Sequence, residues 1–116
     1  MHIVECLLET AVEDNQLLIR NQELGDRPEV PRDIDFVLYA KNQERAELIA
    51  SFVTDNHYGQ PSVERVEYKG TATWQLLITI NAPTTEHVIM PISAFMVFLA
   101  QLYDLEYDGW SSMIQK

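Results

Sequence analysis

The chain has a single cysteine and few basic residues. Cys6 has no partner for an internal disulfide, and its spacing from the three histidines suits no metal site. The chain contains eight Lys and Arg residues and eighteen Asp and Glu residues, so its formal net charge is −10. Nucleic-acid binding needs clustered Lys and Arg side chains, which this chain lacks. We therefore expect no direct nucleic-acid partner and, for the same reason, no anionic membrane partner. A cationic protein segment is the partner class that such a charge attracts.

Long hydrophobic runs and glycine-rich loops are absent as well. No run approaches the roughly 18 apolar residues of a membrane span, and the acids within residues 5–14 argue against a secretory signal. We therefore expect a cytoplasmic protein with a single domain over residues 1–116. The four glycines are isolated, which excludes a phosphate-binding loop, and no serine lies in a nucleophile elbow. These absences predict a chain that is not an enzyme and uses no cofactor or metal.

Seven segments show the periodicity of helices or strands. Apolar residues at helical spacing from Val4 to Ile19 predict a helix within residues 1–25, ahead of a connector that contains two prolines. Strands are predicted at residues 34–40, 62–68, 72–80 and 106–111. Helices are predicted after Asn42 and around Pro91. We place Pro91 in the first turn of its helix and leave residues 87–90 unassigned.

The order of these segments predicts the fold class. Residues 34–112 follow the order β-α-β-β-α-β, which is the ferredoxin-like arrangement: an α+β sandwich whose antiparallel sheet has the strand order 4-1-3-2. Two helices then cover one face of the sheet. The extra N-terminal helix must bury its apolar stripe on the second face, beside the other helices, or on a partner chain. We favour a second face that is covered, either by this helix or by a second subunit.

The last strand carries the best candidate for chemistry. Glu106 and Asp108 are two residues apart, so they share a face with Cα atoms roughly 6.5–7 Å apart, which would suit acid–base work in a cleft. A solvated strand face is the alternative. We favour that alternative because no Arg, Lys or His lies nearby in sequence to tune the two carboxylates. Gly109 predicts a local bend or bulge in the same strand.

Strict alternation assigns side chains to the second sheet face. The assignment takes Leu105 and Tyr107 to face the helices. The residues that then face away are Glu106, Asp108 and Trp110 on the last strand and Val37, Tyr39 and Leu77 on the central strands. Aromatic anchors within a polar rim are typical of a protein-binding surface. The alternative is that the face is ordinary core beneath the N-terminal helix or a second copy.

The segment Glu106-Tyr107-Asp108-Gly109-Trp110 resembles a family motif. In the RraB-like family, the regulators of ribonuclease E activity B, a helix runs into a strand that carries this same run of five residues. Members of that family also have a leading helix, a ferredoxin-like arrangement and an acidic composition. The chain is similar to these ribonuclease E inhibitors along most of its length, with the strongest match at this motif.

The resemblance implies a small cytoplasmic bacterial protein that regulates RNA decay. Such a protein would bind ribonuclease E at its basic scaffold region and reduce cleavage without doing chemistry itself. Residues 106–110 are then the family motif, and they either contact the partner or serve the fold. The alternative function is a structural or small-molecule-binding domain that forms a homodimer through its second sheet face.

Overall fold

Seven helices and strands follow one another along residues 2–116, which a computed structural model of the chain describes. In chain order they are α1 (Ile3–Glu23), β1 (Arg32–Ala40), α2 (Gln43–Asp55), β2 (Gln60–Tyr68), β3 (Thr71–Ala82), α3 (Glu86–Tyr103) and β4 (Glu106–Ser112). The predicted order, a leading helix followed by β-α-β-β-α-β, is confirmed.

The four strands form one antiparallel sheet in the order β2-β3-β1-β4. β1 and β3 lie at the centre, because each of the two crossover connections carries the chain past a neighbouring strand. This is the predicted strand order. The structure therefore confirms the α+β class and agrees with the ferredoxin-like arrangement.

Short-range chemistry sets the bounds of several elements. The Asn42 side chain accepts a hydrogen bond from the Arg45 amide at 2.9 Å and so caps the start of α2. Lys69 and Gly70 have φ angles of 53° and 76°, which suit the two-residue turn that joins β2 and β3. Asp104, at φ 59°, takes the left-handed conformation that ends α3. Each of these boundaries has a cause within a few residues of sequence.

Helix α3 begins earlier than the sequence predicts. Thr85 is extended, and its carbonyl accepts hydrogen bonds from the amides of Val88 and Ile89, each at 2.9 Å. The helix therefore starts at Glu86, and the prediction that Pro91 lies in its first turn is wrong. Pro91 removes one amide from the helical ladder. Burial of Ile89 on the N-terminal side of the proline favours the longer helix.

The core lies between one face of the sheet and the helices α2 and α3. β1 and β3 point their alternate residues into it, and these side chains are fully buried. The members of this layer are Ile34, Phe36, Leu38, Leu76 and Ile78, met from the helices by Ile49, Val53, Ile89 and Met96. Their continuous contact is what holds the sandwich together.

Helix α1 lies beside α3 and against β4, in the same layer as the other helices. Of the three places that the sequence left open for α1, the structure shows the one beside the other helices. Cover of the second sheet face by α1 is therefore wrong, and cover by a second subunit stays a prediction. Within residues 2–116, no helix lies over that face. Its Val37, Tyr39 and Leu77 are only half-buried, shielded by their neighbours on the sheet.

A buried ion pair ties the connector after α1 to the end of the chain. The Arg32 guanidinium donates to Asp26 Oδ1 at 2.6 Å, and the two side chains are 3% and 0% exposed. Arg32 also donates to the carbonyls of Arg27, Val30 and Met113, while Asp26 Oδ1 accepts from the Gln115 amide at 2.8 Å. Asp26 Oδ2 is buried without a hydrogen-bond partner. This pair therefore links the connector to the C-terminal segment through one buried charge contact.

Replacing Arg32 by Met should lower the free energy of unfolding by about 3–5 kcal/mol, because Asp26 would keep a buried and uncompensated charge. Urea denaturation measures the loss. Arg27→Met is the matched control, because the Arg27 pair with Glu29 is exposed (62% and 60%) and should be worth about 0–1 kcal/mol. Equal losses in the two variants would contradict this role of Arg32.

Candidate functional site

The motif strand β4 contains the bulge that Gly109 predicts. Phe36 pairs with Trp110 and Leu38 pairs with Tyr107, so the single residue Val37 lies opposite two residues of β4. Gly109 takes φ 88°, a conformation that residues with a side chain rarely adopt. The extra residue shifts the alternation of β4 by one position.

Trp110 faces the helices and is only 6% exposed, so the prediction that it faces away from them is wrong. The error came from counting alternation straight through Gly109. On the two sides of the bulge, Tyr107 and Trp110 both point to the helical side. Glu106 and Asp108 are exposed, as predicted. The motif is therefore divided between the core and the solvent.

The inward residues of the motif join three elements through hydrogen bonds. The Trp110 indole Nε1 donates to Asp14 Oδ1 on α1 at 3.0 Å. Ser93 Oγ on α3 lies 3.3 Å from the same carboxylate oxygen and 2.8 Å from the Tyr107 hydroxyl. These four side chains, named here the Asp14 network, fix α1 against α3 and β4. Tyr107 and Trp110 thus have a structural role.

Burial dominates the electrostatics of this network. Desolvation raises the pKa of Asp14 to about 6, although the hydrogen bonds from Ser93 and Trp110 act in the opposite direction and Glu13 adds a smaller repulsion. Desolvation also raises the pKa of Tyr107 above its usual value, and the nearby Asp14 and Glu13 add to this. The phenol therefore stays protonated at neutral pH, available for hydrogen bonding to Ser93.

Asp14 did not emerge as a candidate from the sequence, although its position carries a signal. Leu7, Ala11, Asp14 and Leu18 follow one another at intervals of four, three and four residues, so Asp14 occupies a core position of the α1 stripe. A carboxylate at such a position needs hydrogen-bond donors from the elements packed against it.

The second sheet face carries an aromatic pair. The rings of Tyr39 on β1 and Tyr68 on β2 stack with centroids 3.7 Å apart and planes 11° apart. Val37 and Leu77 lie directly opposite each other in the same face. Val37, Tyr39 and Leu77 therefore share one face, as alternation predicts. The second aromatic residue of that face is Tyr68, whereas the sequence pattern predicts Trp110 there.

Carboxylates surround this aromatic pair. By strand register and contacts, the acids on this face are Asp33, Asp35, Glu64, Glu106 and Asp108. The strand positions of the face contain no Lys or Arg along the described part of the chain. Lys69, in the β2–β3 turn, donates to Glu106 Oε1 at 3.1 Å, and that bond contributes most to raising the pKa of Lys69. We call this surface, with Val37, Tyr39, Leu77 and Tyr68, the open sheet face.

The carboxylates of Glu106 and Asp108 are poorly placed for acid–base catalysis. Glu106 forms an exposed ion pair with Lys69, and Asp108 is also exposed. Water can therefore reach both groups, whereas a catalytic carboxylate works in an enclosed site. Within residues 2–116, no three His, Cys, Asp or Glu residues come together in a way that could hold a metal ion.

The fold and this surface define an acidic α+β sandwich with one sheet face free for a partner. The family model for the regulator of ribonuclease activity B, RraB, matches residues 11–112. The chain belongs to this family, which confirms the family resemblance predicted from the sequence. The family relation supports a role in regulating ribonuclease activity. A comparison with curated proteins finds no match.

The Asp14 network should make stability depend on pH. Between the unfolded pKa near 3.8 and the folded pKa near 6, the folded protein binds the extra proton, so unfolding free energy falls as pH rises through this window. The Asp14→Asn variant has no carboxylate at this position, so its free energy of unfolding should not fall in this way. Relative to the wild type, its free energy of unfolding should rise by on the order of 2–3 kcal/mol between pH 4 and pH 7. Urea denaturation at several pH values measures it. Asp55→Asn, at an exposed carboxylate, should parallel the wild type; a parallel curve for Asp14→Asn would contradict the assignment.

Trp110→Ala should lower the free energy of unfolding by about 3–5 kcal/mol, because it removes a large buried side chain and a donor to Asp14. Trp74→Ala provides the control. Because Trp74 is only half-buried, this variant should lose less of the free energy of unfolding. Thermal or chemical denaturation ranks the two variants. An unchanged melting temperature in Trp110→Ala would contradict the structural role of this residue.

Proposed function

We propose that this chain is a non-catalytic regulator that binds ribonuclease E and reduces its cleavage of RNA. Family membership supports the regulation of a ribonuclease, and the earlier resemblance at residues 106–110 favours ribonuclease E. That role implies a bacterial, cytoplasmic protein. The observation that carries the proposal is the open sheet face, where carboxylates surround the Tyr39–Tyr68 stack.

The partner segment that fits this face is basic. The Tyr68 ring already has Lys69 Nζ at 5.1 Å from its centroid. A guanidinium can stack on the ring of Tyr39 while it bonds to a neighbouring carboxylate, and Arg suits both contacts better than Lys. Glu64 and Asp108 are exposed and outside the ion pairs of the described residues, so they can meet incoming cations. A basic scaffold segment of the nuclease has the required chemistry.

Regulation by binding also agrees with the state of the motif carboxylates. Glu106 forms an ion pair with Lys69 and is exposed to solvent. Tyr107 and Trp110 form hydrogen bonds within the Asp14 network. The motif thus orients β4 and leaves Glu106 and Asp108 at the rim of the open sheet face. In this proposal inhibition comes from occupying a segment of the nuclease.

The combined variant Glu64→Gln with Asp108→Asn tests the proposed face. It changes the net charge from −10 to −8 and should weaken binding of purified ribonuclease E by about five- to tenfold, or roughly 1–1.4 kcal/mol. The control pair Glu23→Gln with Glu47→Gln makes the same charge change on helices α1 and α2. Calorimetry at two salt concentrations and an RNA-cleavage assay give the readouts, and added salt should weaken wild-type binding.

Three outcomes separate the possibilities. Weaker binding and weaker inhibition in the face variant alone support the proposal. An equal loss in both pairs would show that net charge matters and the face does not. Absence of any wild-type complex at low salt would overturn the proposed function itself.

A further inference from the structure

Two neighbouring side chains, Tyr68 at the end of β2 and Lys69 in the turn that follows, lie across one end of the open sheet face. β2 and β4 are the two edge strands of the sheet, yet the Tyr68 hydroxyl lies 3.4 Å from Glu106 Oε1 on β4. Lys69 Nζ donates to the same carboxylate oxygen at 3.1 Å. These two side chains therefore connect opposite edges of the sheet over the inner strands β3 and β1.

The Lys69 ammonium has both a carboxylate and an aromatic ring as partners. It lies 5.1 Å from the centroid of the Tyr68 ring, within the distance at which a ring attracts a cation. Tyr39 stacks on the same ring, with centroids 3.7 Å apart. The hydrogen bond to Glu106 is the largest cause that raises the pKa of Lys69 above its usual value. Tyr68 and Glu106 thus already accept a cationic side chain, which the chain itself supplies.

Negative charge exceeds positive charge around the Tyr68 phenol. Desolvation raises the pKa of this phenol most, and the charges of Asp108 and Glu106 raise it further. Lys69 pairs with Glu106, whereas Asp108 is exposed and outside the ion pairs of the described residues. One ammonium therefore faces two carboxylates, and the surroundings of Tyr68 stay attractive to a further cation.

A small cleft gives an incoming side chain access to these groups. Its volume is about 170 Å³, and Tyr39, Tyr68 and Glu106 are among the residues that line it. Such a space holds a few water molecules, or the planar end of one arginine side chain. Lys41 and Asp104 also line the cleft and pair with each other at 3.3 Å. A guanidinium in the cleft would therefore lie beside the ring and within reach of the carboxylate that Lys69 now uses.

We propose that Tyr68 and Glu106 form a binding position for one arginine side chain of a partner, and that Lys69 is the internal cation which this arginine displaces. The partner is the basic segment of the proposed function, on which this assignment rests. A lysine from the partner would only replace one ammonium by another. An arginine gains, because its planar guanidinium stacks on a ring while it donates more than one hydrogen bond to a carboxylate.

The strength of the Lys69 contact suits an exchange of this kind. The Lys69 and Glu106 side chains are 69% and 53% exposed, and an ion pair so open to water is weak. Lys69 is nevertheless part of the same chain, so it competes at a high effective concentration. It should therefore lower the affinity for every cationic ligand and leave binding to those that can stack on Tyr68.

Calorimetry with a tetra-arginine peptide tests the position by comparing the wild type with Lys69→Met and Lys41→Met. The two lysines are similarly exposed, at 69% and 78%, and each pairs with one carboxylate, at 3.1 Å and 3.3 Å. Each variant changes the net charge from −10 to −11 at the same end of the sheet. Lys69→Met should bind the peptide about three- to tenfold more tightly than the wild type, and Lys41→Met less than about twofold.

Two further measurements separate displacement of Lys69 from simple repulsion between Lys69 and the peptide. In a Glu106→Gln background, Lys69→Met should change the affinity by less than about twofold, because neither cation then has its carboxylate. Carbon-13 NMR of labelled lysine side chains should show the pKa of Lys69 falling toward its usual value in the peptide complex, as its bond to Glu106 is lost. Circular dichroism checks that each variant is folded.

Several results would overturn the arginine position. They are equal strengthening by the two lysine variants, an unchanged affinity in Lys69→Met, a full gain that persists in the Glu106→Gln background, and no binding of the peptide to the wild type at low salt. Failure of the nuclease-binding proposal is a different result. A wild type that binds the peptide but not ribonuclease E would overturn that proposal alone. A wild type that binds ribonuclease E, with no gain for the peptide in Lys69→Met, would overturn the arginine position alone.

Discussion

The hydrogen bond between the Trp110 indole and the Asp14 carboxylate determines where helix α1 lies. It joins the first helix to the last strand, across nearly the whole sequence, and Ser93 connects the same carboxylate to α3. Because α1 is held there, it extends the helical layer and leaves the second face of the sheet open. The open sheet face is a consequence of this placement, to which the burial of Leu18 in the core also contributes.

The bulge at Gly109 makes that contact available. Without the extra residue, alternation would point Trp110 to the open face, away from Asp14. Glycine allows the local φ of 88° without the strain that a side chain would add. The Asp108-Gly109 step between Tyr107 and Trp110 therefore has a structural explanation. Four of the five motif residues serve this geometry directly or border it, and Glu106 pairs with Lys69 in solvent.

Periodicity and turn residues were enough to predict which helices and strands form and in what order, although the start of α3 and the bulge in β4 departed from the regular repeat. It also placed Val37, Tyr39 and Leu77 on one face, because β1 and β3 pair without interruption. It failed for Trp110, where a bulge breaks the repeat, and for Tyr68, whose stacking on Tyr39 spans two strands. It left the position of α1 open, because Asp14 bonds to residues that lie 79 and 96 positions away in sequence. Contacts of that separation leave no periodic signal.

Helix α1 buries one carboxylate, Asp14, on an inner side that also packs Leu17 and Leu18 against the core. A buried carboxylate whose pKa is raised to about 6 opposes folding at neutral pH, whereas an apolar residue at position 14 would pack without that cost. The polar contact instead fixes one rotation of the helix about its axis, since only that rotation brings Asp14 to Trp110 and Ser93. The same rotation brings Leu17 and Leu18 to the core and leaves Val4, Leu8 and Val12 in solvent. The polar network therefore selects the orientation of the helix, at a cost in stability at neutral pH that an apolar residue would not carry.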